Sequence, residues 1–392
     1  MRKVLMLILI IYILNGCFVF ASEEKGQFSP ETLVIDQIDN VDTQELQEML
    51  DTINKDFDEF FPKLEIKGFI QKVIRGEETI SFRQIVSGSM KYLFREIIAN
   101  WKILGQIIIL TAICSILSNL QSAFENDVVA KLAYNACYLV IASITIRSFI
   151  IAISLGRETI DMMVTFMQTL LPILMAMIIA MGGITTSAFF HPFLLGAIGF
   201  IGTVIKNVVL PLILFSAVLA IVNNFSTKIQ VTKLATLLKQ ASALVLGFIF
   251  TVFVGVISVQ GLTSSTVDGI SIRTAKFAVD KFVPIVGGFL SDAMDTVIGC
   301  SLILKNAIGA IGFVSIFLIC LLPVIKILAL IVIYKLCAAV VEPLSENNLV
   351  KCLNEMSGSL VLLFATISSV AIMFFITITI IVSAGNITVM MR

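Results

Sequence analysis

Five ionisable residues interrupt stretches of this chain that are otherwise apolar: Arg147, Lys206, Asp292, Asp295 and Lys326. Each is costly in hydrocarbon unless it is paired or wetted, so an ionisable residue in an apolar segment marks a candidate site. Asp292 and Asp295 are three residues apart and share one face of a helix. The chemistry open to such a set is a wet polar path, or a pairing of Arg147 with one of the two aspartates. The plainer alternative is that Lys206 and Lys326 snorkel to the headgroups while the aspartates sit at an interface. Two prolines, Pro211 and Pro323, each remove a backbone donor in the middle of an apolar segment and are the candidate helix breaks.

Enzyme chemistry has no comparable footing. There is no G-x-x-x-x-G-K-[ST] loop to cradle a nucleotide and no H-E-x-x-H, and the single histidine, His191, has no evident nucleophile partner. Asp292 and Asp295 lack the G-x-G-D arrangement of an intramembrane protease; only Gly287-Gly288 precedes them. Cys114, Cys137, Cys300, Cys320, Cys337 and Cys352 make no C-x-x-C pair, which favours apolar packing over metal or redox work. The expectation is a protein that is not an enzyme, with no catalytic residue, metal or cofactor.

The elements that must position these charges are membrane helices. A chain of 392 residues that is 58% hydrophobic and 14% charged, with a mean hydropathy of +1.02, exceeds what one soluble core can hide. The fold class expected is all-α, a polytopic helical membrane protein. Formal charge is +0, so no basic field for nucleic acid is present in the total. The N-terminus reads as a secretory signal: Arg2 and Lys3, an apolar core from Val4 to Leu14, and Val19-Phe20-Ala21 before a cleavage between Ala21 and Ser22. A rival reading makes Leu14-Asn15-Gly16-Cys17 a lipoprotein box. Either way, the acidic stretch that follows, to about Asn100, begins on the outer face. It reads as a small helical domain. Asp42 and Glu45 open a helix whose apolar stripe runs Leu46, Met49, Leu50, Ile53, Phe57 and Phe60 to a stop at Pro62. Ser81 and Gln84 open a second helix that can run directly into the membrane at Trp101, an interfacial anchor.

Eight apolar segments follow, over 103–120, 132–155, 162–181, 191–222, 241–262, 284–304, 307–341 and 358–383. The fourth and seventh carry an echo. Leu195-Gly196-Ala197-Ile198-Gly199-Phe200 before Leu210-Pro211 returns, about 112 residues later, as Ile308-Gly309-Ala310-Ile311-Gly312-Phe313 before Leu322-Pro323. Such repeats are what many transporters and pores are built from. Between the repeats, Asp268 to Val283 sorts Arg273, Lys276 and Asp280 from Ile272, Ala275, Val279 and Phe282, the pattern of an interfacial helix. The expected organisation is a signal at 1–21, an exported acidic domain at 22–100, and a first transmembrane hairpin at 101–161. A transmembrane repeat at 162–262, an interfacial linker at 263–283 and a second repeat with the C-terminus at 284–392 complete it. Orientation conflicts with this count: eight crossings put the loop 223–240 outside, although its Lys228, Lys233 and Lys239 belong in the cytoplasm.

Several strings in their order resemble the stage III sporulation protein AE family: Ser187-Ala188-Phe189-Phe190-His191-Pro192, Gly255-Val256-Ile257-Ser258-Val259-Gln260-Gly261, and Asp268-Gly269-Ile270 with Arg273-Thr274-Ala275-Lys276-Phe277. Asp292-Ala293-Met294-Asp295-Thr296-Val297-Ile298, Leu304-Lys305-Asn306 and Ile333-Tyr334-Lys335-Leu336 complete the set. The resemblance implies a multipass protein made in the mother cell of an endospore-forming bacterium. It would sit in the membrane around the forespore, with its N-terminal domain in the intermembrane space. It would belong to a channel or secretion-like complex with other stage III sporulation A proteins, among them an ATPase and ring-forming proteins, and with a forespore-side channel protein. Membrane lipid and further copies of the chain are the remaining partners expected. A stand-alone secondary transporter and a structural membrane anchor for an exported assembly are the other classes the residues leave open.

Overall fold

A computed structural model of the chain describes residues 44–57, 65, 68–69, 71–72, 82–121, 127–225, 231–282, 287–343 and 347–390. Among these residues every regular element is helical: α1 (Gln44–Phe57), α2 (Phe82–Ala99), α3 (Trp101–Gln121), α4 (Asp127–Ala180), α5 (Ile184–Val204), a π turn (Ile205–Val209), α6 (Leu210–Phe225), α7 (Thr232–Phe282), α8 (Gly287–Val341) and α9 (Asn347–Met390). Six stretches are long and apolar enough to cross a membrane: Arg83–Ile116, Asn135–Ala180, Ile184–Asn223, Thr232–Gln260, Met294–Val341 and Asn348–Asn386. The chain is a multi-pass helical membrane protein. The signal cleavage site at Ala21 and Ser22 lies outside the described residues.

Six stretches replace the eight segments expected because two polar breaks do not interrupt the backbone. The segments 132–155 and 162–181, but for Met181 in the turn that follows, are parts of α4, a single helix of 54 residues. Likewise 284–304 and 307–341 fall largely within α8, of 55 residues. At about 1.5 Å per residue each is a rod of roughly 80 Å, far longer than a ~30 Å hydrocarbon core. Arg, Glu and Lys are good helix formers, so Arg157-Glu158 and Lys305 can break hydropathy without breaking the helix. Of the stretch read as an interfacial helix, Asp268 to Val283, the residues to Phe282 are the C-terminal continuation of α7, which runs unbroken from Thr232 to Phe282, and Val283 lies outside the described residues.

Helix α2 runs almost directly into α3, and the first long apolar stretch, Arg83–Ile116, takes in most of both. Only Asn100 separates them; its backbone N–H donates to the Glu96 carbonyl at 3.1 Å and its carbonyl accepts from the Ile103 N–H at 3.0 Å. Helix α1 buries Leu46, Leu50 and Ile53, the spacing of one apolar face, against α4 and α8. Its expected cap, Asp42, lies outside the described residues, as does Ser81 before α2.

Helix α9 is the axis of the bundle, packed on α4, α6, α7 and α8, with Leu363, Ile367, Phe374 and Ile378 buried. Close approaches at glycine fix the axial levels. A Cβ on Gly156 of α4 would lie 3.0 Å from Leu363 and 3.1 Å from Ile367 of α9, and one on Gly312 of α8 would strike Leu170 of α4 and lie 3.4 Å from Ile378 of α9. Hence α4 and α9 run parallel; Gly309, three residues earlier on α8, meets Val382, four residues later on α9, so α8 is antiparallel to both. The turn from α4 to α5 uses Gly182 at φ 88°, a left-handed conformation that glycine adopts without strain.

Candidate polar site on the flank of the bundle

Helix α4 places Arg157, Glu158 and Asp161 within about one turn of each other, on the outside of the bundle at its mid-height, since Gly156 is level with the middle of the α9 span. Across from them the chain widens into the π turn Ile205–Val209, where the Leu210 N–H reaches back to the Ile205 carbonyl. Pro211 follows one residue later and has no N–H to donate. The extra residue of a π turn, a feature that often accompanies function, also carries Lys206 onto the α4 face. There the Lys206 ammonium forms an ion pair with the Asp161 carboxylate, and the side chains stay 24% and 49% exposed. The Arg157 guanidinium donates to the Lys206 backbone carbonyl at 3.3 Å, which occupies one carbonyl of the widened turn.

A second polar constellation stands near one end of the bundle, where Lys305 is fully enclosed. Lys305 of α8 is 0% exposed. Its ammonium donates to the Val382 carbonyl at 2.7 Å and to Asn386 Oδ1 at 2.9 Å, both on α9. Gly385 makes room for it: a Cβ there would overlap the Lys305 ammonium and lie 2.8 Å from Met181. Nearby, Asp268 of α7 is 1% exposed and accepts the Thr185 and Thr186 backbone N–H groups at 2.9 and 2.7 Å. It thus caps the N-terminus of α5 from another helix, where the dipole favours a negative charge.

Of the five residues expected to share a polar path, Lys206 pairs with a carboxylate outside the set, that of Asp161. Arg147 is exposed on α4, 14 residues and so about 21 Å from Asp161 along one helix. Lys326 is half-buried on α8, and Asp295 is exposed on the same helix 31 residues away, about 46 Å. Asp292 lies in α8 with a side chain outside the described residues. These separations put the five in no single cluster. The two candidate breaks also differ: Pro211 follows a π turn, whereas Pro323 lies within α8 and does not interrupt it.

Asp161, Arg157, Lys305 and Asp268 are functional candidates that hydropathy and spacing do not single out. Arg157 to Asp161 is visible as a polar gap between two apolar runs, which reads as a loop when hydropathy alone is followed. Among the described residues no group of three or more His, Cys, Asp or Glu side chains is arranged to hold a metal ion.

The family model described as Stage III sporulation protein AE matches residues 64–385. A curated protein of that description from Bacillus subtilis (strain 168) is 39% identical over 353 residues, covering 90% of this chain and 88% of its own length. No solved structure matches.

Proposed function

Because the chain belongs to the stage III sporulation protein AE family, we propose that it acts in sporulation as a membrane component of a channel or secretion-like complex between mother cell and forespore. The single observation that carries the reading is where the likeness lies. The match over 64–385 takes in the six long apolar stretches but for the last residue of the sixth, so the shared work belongs to the membrane bundle and not to an appended soluble domain. Without a nucleotide loop in the sequence, driving energy comes from a partner ATPase or an ion gradient.

Six crossings also support one orientation. With the acidic N-terminal region outside the mother-cell cytoplasm, in the intermembrane space, a third crossing brings the loop after α6 to the cytoplasm. That is the side favoured by Lys228, Lys233 and Lys239. The conflict met with eight crossings disappears once 132–155 and 162–181 are one helix. The exported region then faces ring-forming partners, and the bundle forms the base or wall of the passage.

The test is a pull-down of the tagged chain from sporulating cells in mild detergent. Recovery of an ATPase and a ring-forming protein with it is the expected result. Recovery of the solubilised chain alone, under conditions that keep a known membrane complex intact, would overturn the reading in favour of a transporter that works by itself.

A further inference from the structure

At the depth of the Asp161–Lys206 pair the bundle has two unlike outer surfaces. The Ser216 hydroxyl donates to the Ala235 carbonyl, and Asp268 accepts from Thr185 and Thr186. Helix α7 is therefore antiparallel to the α5–α6 rod, and by residue count its Leu244 and Phe248 stand at about the level of Lys206. These two are 72% and 67% exposed, as a lipid-facing surface requires. On α4 the surface is different. From Ala152 to Ile178 no large apolar side chain is exposed, while Glu158, Thr165 and Gln168 are exposed and Asp161 is half-exposed.

The spacing of 158, 161, 165 and 168 is that of one helix face, so the polar side chains form a stripe about 15 Å long. Across from it α5 offers little bulk. A Cβ on Gly199 would lie 3.8 Å from Gln168 Nε2 and meet nothing closer, and Lys206 closes the far end on Asp161. Asp161 and Lys206 offset each other's charge, but Glu158 makes no ion pair among the described residues, and a charge facing hydrocarbon costs about 2.5–3.5 kcal/mol at mid-bilayer. Water removes that cost.

Deepening the reading of the bundle as a passage, we propose that the furrow between α4 and α5, floored by Gly199 and lined by Glu158, Asp161, Thr165, Gln168 and Lys206, is one wall of an aqueous path for small hydrophilic solutes. Two acids, Glu158 and Asp161, and two bases, Arg157 and Lys206, leave the wall without net charge. A path with such a wall passes hydrated solutes of either sign.

The experiment uses the full chain in native membranes, with its cysteines replaced by Ser or Ala, and single cysteines at Thr165→Cys, Gln168→Cys, Leu244→Cys and Phe248→Cys. The probe is a membrane-impermeant trimethylammonium methanethiosulfonate. Only a hydrated thiol ionises to react, so positions 165 and 168 are expected to label about 100-fold faster than 244 and 248. If the cysteine-free chain does not accumulate, the native cysteines stay in place and labelling is scored above that background. Labelling at 165 and 168 as slow as at 248 overturns the proposal. So does fast labelling at all four, which would place this depth outside the membrane. A dry furrow in a chain that still recovers the ATPase and ring protein removes the furrow alone. A wet furrow in a chain that recovers neither removes the complex and leaves the furrow.

Discussion

The repeated string occurs once on the surface of this molecule and once in its interior. In Leu195–Phe200 on α5, Gly196 is exposed with nothing within 4 Å of a Cβ, and Phe200 is 63% exposed. In Ile308–Phe313 on α8, Gly309 and Gly312 are buried, and a Cβ on either would run into Val382 or Leu170 respectively. The lysines near the two strings differ in the same sense. Lys206 keeps partial contact with its surroundings and takes a carboxylate, whereas Lys305 is sealed in and held by a carbonyl and an amide. Sequence likeness between two apolar helices thus does not fix a shared role. Location decides whether a glycine is a packing requirement or stands in open space, and whether a cation is met by charge or by dipoles.

The contrast is broken most directly at Lys305. Gly385→Leu would displace its ammonium from the Val382 carbonyl and strike Met181, leaving a buried charge short of partners, a defect of about 3–5 kcal/mol. Near-complete loss of the protein from the membrane fraction, read by quantitative immunoblot, is expected. Normal accumulation would show that the site is looser than its geometry. Next comes Gly312→Leu, where overpacking against Leu170 and Ile378 should cost about 1–3 kcal/mol and lower the melting temperature in detergent. The same change at its counterpart, Gly199→Leu, should leave the melting temperature nearly unmoved; equal shifts would erase the distinction between inside and outside.

Smaller in stability, though not in function, is Asp161→Asn. A partly exposed ion pair contributes about 0–1 kcal/mol, so the variant should accumulate normally while spore yield falls. Exchanging the charges in Asp161→Lys with Lys206→Asp should restore much of that yield, and failure of the exchange alongside a fully active Asp161→Asn would reduce the pair to a surface detail. The smallest effect is expected at Gly196→Ala, in open space on a helix, where stability should change by no more than about 0.5 kcal/mol or rise slightly. A large loss there would mean that another chain presses on the outer string.

Local features of this fold are legible in the sequence by itself. Hydropathy alone gives the membrane class, the period of Leu46, Leu50 and Ile53 gives the buried face of α1, and Trp101 marks where α2 hands over to α3. Those properties are carried by neighbours within a few residues along the chain. What hydropathy cannot decide is whether a polar gap is a loop or a stretch of exposed helix, and so Arg157 to Asp161 separates two expected segments that are one rod. The role of each charge is equally out of its reach. Lys206 meets Asp161 across 45 residues, Lys305 meets Val382 and Asn386 across 77 and 81, and Asp268 meets Thr185 and Thr186 across 83 and 82. Composition sets how many charges the bundle must accommodate. Only the packing of distant helices sets which of them is paired, which is sealed and which is left facing outward, because burial and pairing are properties of the space between helices and not of the string that forms any one of them.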